Sequence, residues 1–89
     1  MTYFKVEIHK SAKKSLKDLP KSIKTKIIEF LIQLKSNPFP TSDIRKLRNL
    51  NNTFRAKFGD YRVVYSIDFD KRLIRVIKIE HRKKVYKRL

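Results

Sequence analysis

Residues 3–8 alternate, with Phe4, Val6 and Ile8 on one side and Tyr3, Lys5 and Glu7 on the other. A period of two marks a half-buried strand. Residues 11–19 change to helical spacing: Ala12, Leu16 and Leu19 share a stripe, opposite Lys13, Lys14 and Lys17. Pro20 then interrupts, either ending this helix or standing in the first turn of the next. A longer helix is predicted over 23–35, where Ile23, Ile27, Phe30, Leu31 and Leu34 form a core-facing stripe. Ile28 and Ile32 widen it to roughly 200° of the circumference at about 100° per residue, more than a surface helix needs. The surplus is expected to pack under a neighbouring element, with a docking groove for a partner protein as the alternative.

Residues 37–42 carry Pro38 and Pro40 and read as a loop. Residues 44–52 hold Arg45, Lys46 and Arg48 around Leu47 and Leu50, and read as an irregular approach to the next element. That element is TFRAKFGDYRVVYS, residues 53–66. Glycine followed by another residue between two β-type runs predicts a two-residue hairpin loop, because glycine takes the positive φ of a II′ turn. With Gly59-Asp60 as the loop, Phe58 pairs with Tyr61, Lys57 with Arg62, Ala56 with Val63 and Arg55 with Val64. Cross-strand partners share a face. Phe54, Ala56, Phe58, Tyr61, Val63 and Tyr65 therefore make an apolar face, while Arg55, Lys57 and Arg62 collect on the other. Like charges opposite each other in a ladder are unfavourable, so the cluster is a candidate for chemistry.

Residues 68–72 form a second turn, and residues 73–79 an apolar, β-branched strand too continuous for an edge. An even count in this turn pairs Ser66 with Arg75 and brings Arg75, Ile77, Ile79 and His81 to the cationic face. An odd count sends them to the core. Residues 81–89 have helical spacing, Arg82 with Tyr86 and Val85 with Leu89. The order is strand, helix, helix, a three-strand antiparallel meander and a short C-terminal helix. Helices packed on one face of a mostly antiparallel sheet define an α+β class.

The chain has 89 residues, 40% of them apolar, which suits a single domain with one modest core. Without cysteine it has neither disulfides nor a thiolate metal site. His9 and His81 lie too far apart in sequence to suggest zinc, so no metal and no cofactor is expected. No apolar run approaches membrane-spanning length and the amino terminus lacks a signal-peptide pattern, so the expectation is a soluble, cytoplasmic protein with no membrane association. The net charge of +16 points to polyanionic partners, bound by phosphate neutralisation and counterion release. The alternative is a lysine-rich surface suited to a hot or salty habitat, where acidic residues would normally rise alongside the basic ones.

Four segments in order and spacing carry a resemblance: LRNL at 47–50, FRAKF at 54–58, GDYRVVY at 59–65 and IEHRKKVY at 79–86. Together they resemble the RelE/ParE toxin superfamily of bacteria and archaea, its RelE branch above all, over nearly the whole chain. The resemblance implies a fold related to microbial ribonucleases and a toxin–antitoxin pair. It also implies metal-independent cleavage of messenger RNA in the ribosomal A site, and a RelB-like acidic antitoxin in a heterotetrameric complex.

Cutting RNA without a metal means attack of the 2′-hydroxyl on the adjacent phosphate, leaving a 2′,3′-cyclic phosphate and a 5′-hydroxyl. The reaction needs a base, an acid and positive charge on the phosphorane. Arg62 suits the charge, since guanidinium keeps its proton and grips two phosphate oxygens. Lys57, crowded by Arg55 and Arg62, is the candidate base, because like charges disfavour its protonated form. By resemblance Arg55, Lys57 and Arg62 match the family's catalytic cations. Arg55 departs from the lysine of the well-studied bacterial branch. Glu80 falls near that branch's arginine, the proposed acid, which leaves His81 or Arg82 for that role, His81 favoured because imidazole titrates near neutrality. Tyr86 is placed to stack on a base or hold the nucleotide beside the cut. Lys46, Arg48, Arg75 and the helix lysines are candidates for flanking phosphates.

Other roles are available to the same residues: His81 as a strand-end residue, Tyr86 as a tether, and the three cations as a patch without catalysis. Two further functions compete with the ribonuclease. One is a ParE-like, non-enzymatic inhibitor of DNA gyrase, which does not need the cation cluster. The other is a plain RNA-binding module, whose affinity would fall steeply with salt.

Overall fold

In a computed structural model, which describes residues 3–87, the elements in chain order are β1 (Lys5–Ile8), α1 (Lys10–Lys17), α2 (Lys21–Leu34), β2 (Ile44–Lys46), β3 (Thr53–Phe58), β4 (Tyr61–Asp68) and β5 (Leu73–His81). The strands form one sheet in the order β1-β5-β4-β3-β2. β1 runs parallel to β5 and every other pair is antiparallel. The mixed α+β class is as expected, and β5 is indeed interior.

Local chemistry sets the helix boundaries. His9 caps α1, its Nδ1 accepting from the Ser11 amide at 3.2 Å. Lys14 and Lys17 stand in the last turn of α1, where cations complement the helix dipole. Pro20 precedes α2 with φ −54°, and its carbonyl accepts from the Lys24 amide at 2.9 Å. The core forms between the helices and one sheet face. Ile27, Phe30, Leu31 and Leu34 of α2 join Ala56, Val63, Tyr65, Ile67, Ile74, Val76 and Ile79. Phe30 packs edge-on against Phe58 and Tyr65, at 5.1 and 5.8 Å between ring centroids. Ile28 and Ile32 stay 39% and 59% exposed. Among the described residues, the surplus of the α2 stripe therefore does not pack under a neighbour.

The hairpin register matches the one expected: Phe58 opposite Tyr61, Lys57 opposite Arg62, Ala56 opposite Val63 and Arg55 opposite Val64. Gly59 takes φ +58°, while Asp60 is not among the positive-φ residues, the sign pattern of a II′ turn. A Cβ on Gly59 would meet Ile23 Cδ1 at an ordinary 3.7 Å. The backbone angle, not space, is what calls for glycine there.

Three expectations are corrected. Residues 44–46 are not irregular: they form β2, pairing Ile44 with Ala56 and Arg45 with Arg55. The second turn does hold an even number of residues, and Ser66 pairs with Arg75, but the faces do not continue unchanged. Val64 pairs with Lys78 and Tyr65 with Val76, so Ile77 is an extra residue in a bulge. A bulge shifts the alternation beyond it by one. Ile79 and His81 therefore face the core side, opposite Val63 and Tyr61, and Lys78 and Glu80 take the cationic side. Finally, residues 82–87 are turns, not a helix. The Lys84 and Val85 amides both bond the His81 carbonyl, and the Lys87 amide bonds Lys84. Leu89, the expected partner of Val85, lies outside the described residues.

Tyr65 ties the long 35–43 connection to the sheet. Burial pushes its phenol pKa up, and the hydroxyl donates to the Pro38 carbonyl at 2.7 Å. Tyr65→Phe keeps the ring packing and removes this donor. We expect a loss of about 1–2 kcal/mol in urea unfolding, with faster amide exchange confined to residues 36–43. An unchanged midpoint would show that the loop is held by other contacts.

Candidate active site on the open sheet face

The face away from the helices carries three cross-strand rows, read from the register. Nearest the hairpin turn, Lys57 of β3, Arg62 of β4 and Glu80 of β5 lie side by side. Next come Arg45 of β2, Arg55, Val64 and Lys78. The third row is Thr53, Ser66, Arg75 and Glu7. Neighbouring strands are about 4.8 Å apart, so side chains of the first two rows can converge on one phosphate and its flanks.

The cations are not equally free. Arg62 Nη1 donates to the Gly59 carbonyl at 2.7 Å and to the Tyr61 carbonyl at 3.0 Å. Its guanidinium is thus held at the hairpin end with other N–H groups left over. Arg55 Nη1 reaches the Asp43 carbonyl at 3.3 Å. Arg45 Nη1 bonds the Ser42 and Ile44 carbonyls at 3.0 and 3.1 Å. These carbonyl contacts partly offset the repulsion of Lys57 against Arg62 and Arg45 against Arg55.

Residues 82–87 come back over part of this face. Val64 is wholly buried although it sits on the side away from the helices, and so is Val85. Both stand outside the main core. Lys78, beside Val64, donates from Nζ to the Lys87 carbonyl. The turns therefore lie over the β4–β5 half of the second row and leave Arg45, Arg55 and Lys57 open.

The other sequence-selected residues are scattered. His81 lies on the opposite face from Arg62, edge-on to Tyr61 at 5.5 Å; the bulge in β5 removes it from the cluster. With Ser15, Asp18, Leu19 and Tyr61 it helps to wall a hollow of about 440 Å³ beside α1. Arg82 is paired with Asp60 at 3.7 Å at the hairpin turn. Tyr86 is half exposed on the tail. Arg75 is on the open face but two rows from Arg62 and paired with Glu7 at 3.5 Å. Lys46 sits opposite Phe54 on the helix side of the sheet, away from the cations. Arg48 is exposed in the turns between β2 and β3.

Three residues not assigned to the site from sequence stand on the cationic face: Arg45, Lys78 and Glu80. Ile44-Arg45-Lys46 carries no alternation that could have suggested Arg45. No glycine or proline in 73–81 marks the bulge that brings in the other two.

The fold and this face together define a class. The sequence profile for the ParE toxin of the type II toxin–antitoxin system parDE matches residues 6–86. The chain belongs to that family of toxins. Within it, the chain is RelE-like. It is 42% identical over 86 residues to a protein designated toxin RelE1 in Methanocaldococcus jannaschii, covering 94% of this chain and 96% of that one. With toxin RelE of Mycobacterium tuberculosis it shares 35% identity over 86 residues, covering 94% and 87%. A chain of the archaeal RelE–RelB complex from Pyrococcus horikoshii OT3 superposes with a TM-score of 0.81 and 33% identity, covering 94% of this chain and all of that one.

Arg62 projects from a central strand away from the core, so Arg62→Ala opens no core cavity. Its two carbonyl contacts are at the surface end of the hairpin. We expect urea unfolding to stay cooperative, with a loss of about 1 kcal/mol or less. A loss above about 3 kcal/mol would make Arg62 a structural clamp.

Proposed function

We propose that this toxin is a ribosome-dependent, metal-independent endoribonuclease that cuts messenger RNA in the A site by 2′-hydroxyl attack and so stops translation. The observation that carries the reading is the row in which Lys57 and Arg62 are cross-strand partners, with Arg55 and Arg45 beside them on the same open face. Arg62 supplies fixed charge to the phosphorane, which a guanidinium already held by protein carbonyls can do with little reorganisation. Lys57 transfers a proton. Arg55 and Arg45 hold the strand. Tyr86, half exposed on the tail, is available to stack on a base. The net charge of +16 favours encounter with an RNA-rich target.

An acidic, RelB-like antitoxin is the natural partner. The similar chain from Pyrococcus horikoshii was solved in complex with RelB. Here Ile28 and Ile32 leave an apolar strip open on α2, beside a strongly basic surface. A partly disordered acidic chain that folds over both would bury the strip and neutralise the charge. We read the complex as heterotetrameric and its site of action as the cytoplasm, where ribosomes are.

Single-turnover cleavage of a programmed ribosome complex, at saturating toxin, tests the enzyme. Arg62→Ala is expected to slow the step by about 10²–10³. Lys57→Ala should lose as much, and Lys57→Arg should not restore it, since arginine keeps its proton. Arg55→Lys should be mild. Wild-type cleavage by Lys57→Arg would show that the cluster works by charge alone. In cell-free translation a gyrase inhibitor leaves synthesis untouched, and a plain RNA-binding module slows it without cutting messages. Purification from the native operon should yield a complex with an acidic partner encoded next to the toxin; recovery of free toxin alone counts against the antitoxin reading.

A further inference from the structure

The row nearest the hairpin turn holds one carboxylate among its cations. Glu80 is the cross-strand partner of Arg62 on the side opposite Lys57. It reaches this face only because the bulge at Ile77 reverses the alternation of β5. Among the described residues the ion pairs are Arg75–Glu7 and Arg82–Asp60, so Glu80 is in neither. It also makes no side-chain hydrogen bond among those residues, and nor does Lys57. The centre of the row, by contrast, is held in place by the Gly59 and Tyr61 carbonyls.

This arrangement fits what in-line attack demands. The 2′-oxygen enters and the 5′-oxygen leaves on opposite sides of phosphorus, so the group that takes a proton and the group that gives one must flank the phosphate. A phosphate gripped by Arg62 would have Lys57 on one side and Glu80 on the other, each about one strand spacing of 4.8 Å away. We propose, resting on the ribonuclease reading above, that Glu80 is the general base and Lys57 the general acid. The 2′-hydroxyl proton passes to the Glu80 carboxylate as the O2′–P bond forms. The P–O5′ bond breaks as the Lys57 ammonium gives a proton to the leaving 5′-oxygen. The products are the 2′,3′-cyclic phosphate and the 5′-hydroxyl. Glu80 ends protonated and Lys57 neutral, and exchange with water resets both. This reverses the role expected of Lys57 from the sequence, because the row also holds a carboxylate on the other side of Arg62.

A sulfur leaving group separates the two roles, since a thiolate departs without a proton. Ribosome complexes are programmed with a message carrying either the natural phosphate or a 5′-bridging phosphorothiolate at the mapped cut site, and single-turnover rates are measured at saturating toxin. Glu80→Gln, close to isosteric, is expected to slow both substrates by about 10² or more. Lys57→Ala should be as slow on the oxygen substrate but return to within about tenfold of wild type on the sulfur one. Glu80→Asp, which keeps the carboxylate, should cut faster than E80Q. Four results overturn the assignment: E80Q at the wild-type rate, E80Q weakening only the half-saturating concentration, E80D and E80Q cutting at equal rates, or K57A left unrescued by sulfur. Should E80Q not fold, the sulfur rescue of K57A alone decides the direction of proton transfer. Absence of cleavage by the wild type overturns the functional reading itself, whereas wild-type cleavage with unaffected E80Q removes only this assignment.

Discussion

The pairing register of β3 on β4 is the constraint on which the site depends. A two-residue turn at Gly59-Asp60, with Gly59 at φ +58°, sets Lys57 opposite Arg62 and Ala56 opposite Val63. Sliding the pairing by one residue would send the apolar set to water and the cations into the core. The core thus holds the register from one side while the turn holds it from the end. Cations placed on such a strand inherit the rigidity of the core beneath them, the condition that preorganised charge requires.

Concentrating positive charge on one face has a structural consequence. Lys57 against Arg62, and Arg45 against Arg55, repel across the ladder. The guanidinium groups are drawn onto backbone carbonyls at Gly59, Tyr61, Asp43, Ser42 and Ile44, where partial negative charge is available without acidic side chains. The tail adds a second device. Val64 and Val85 are both buried outside the main core, and Lys78 Nζ donates to the Lys87 carbonyl, which ties the end of the tail to this face. Ile28 and Ile32, exposed apolar residues of α2, lie on the helix layer, so the apolar strip and the cationic face belong to different elements of one small fold.

Much of this protein was legible from its sequence. Period-two and helical spacing, read with Gly59 and Pro20 as punctuation, was sufficient for β1, both helices, the β3–β4 hairpin and its register, because these depend on interactions close in the chain. The grouping of Arg55, Lys57 and Arg62 followed from that register alone. Tertiary structure decided what depends on distant partners. β2 is three residues long and exists because β3 offers an edge. The wide stripe of α2 does not reveal that, among the described residues, Ile28 and Ile32 stay exposed. Above all, the bulge at Ile77 has no local signature: the run from Leu73 to Ile79 stays apolar through it. The extra residue follows directly after Val76, the last residue of β5 that pairs with β1. That single residue took His81 away from the cationic face and placed Glu80 next to Arg62.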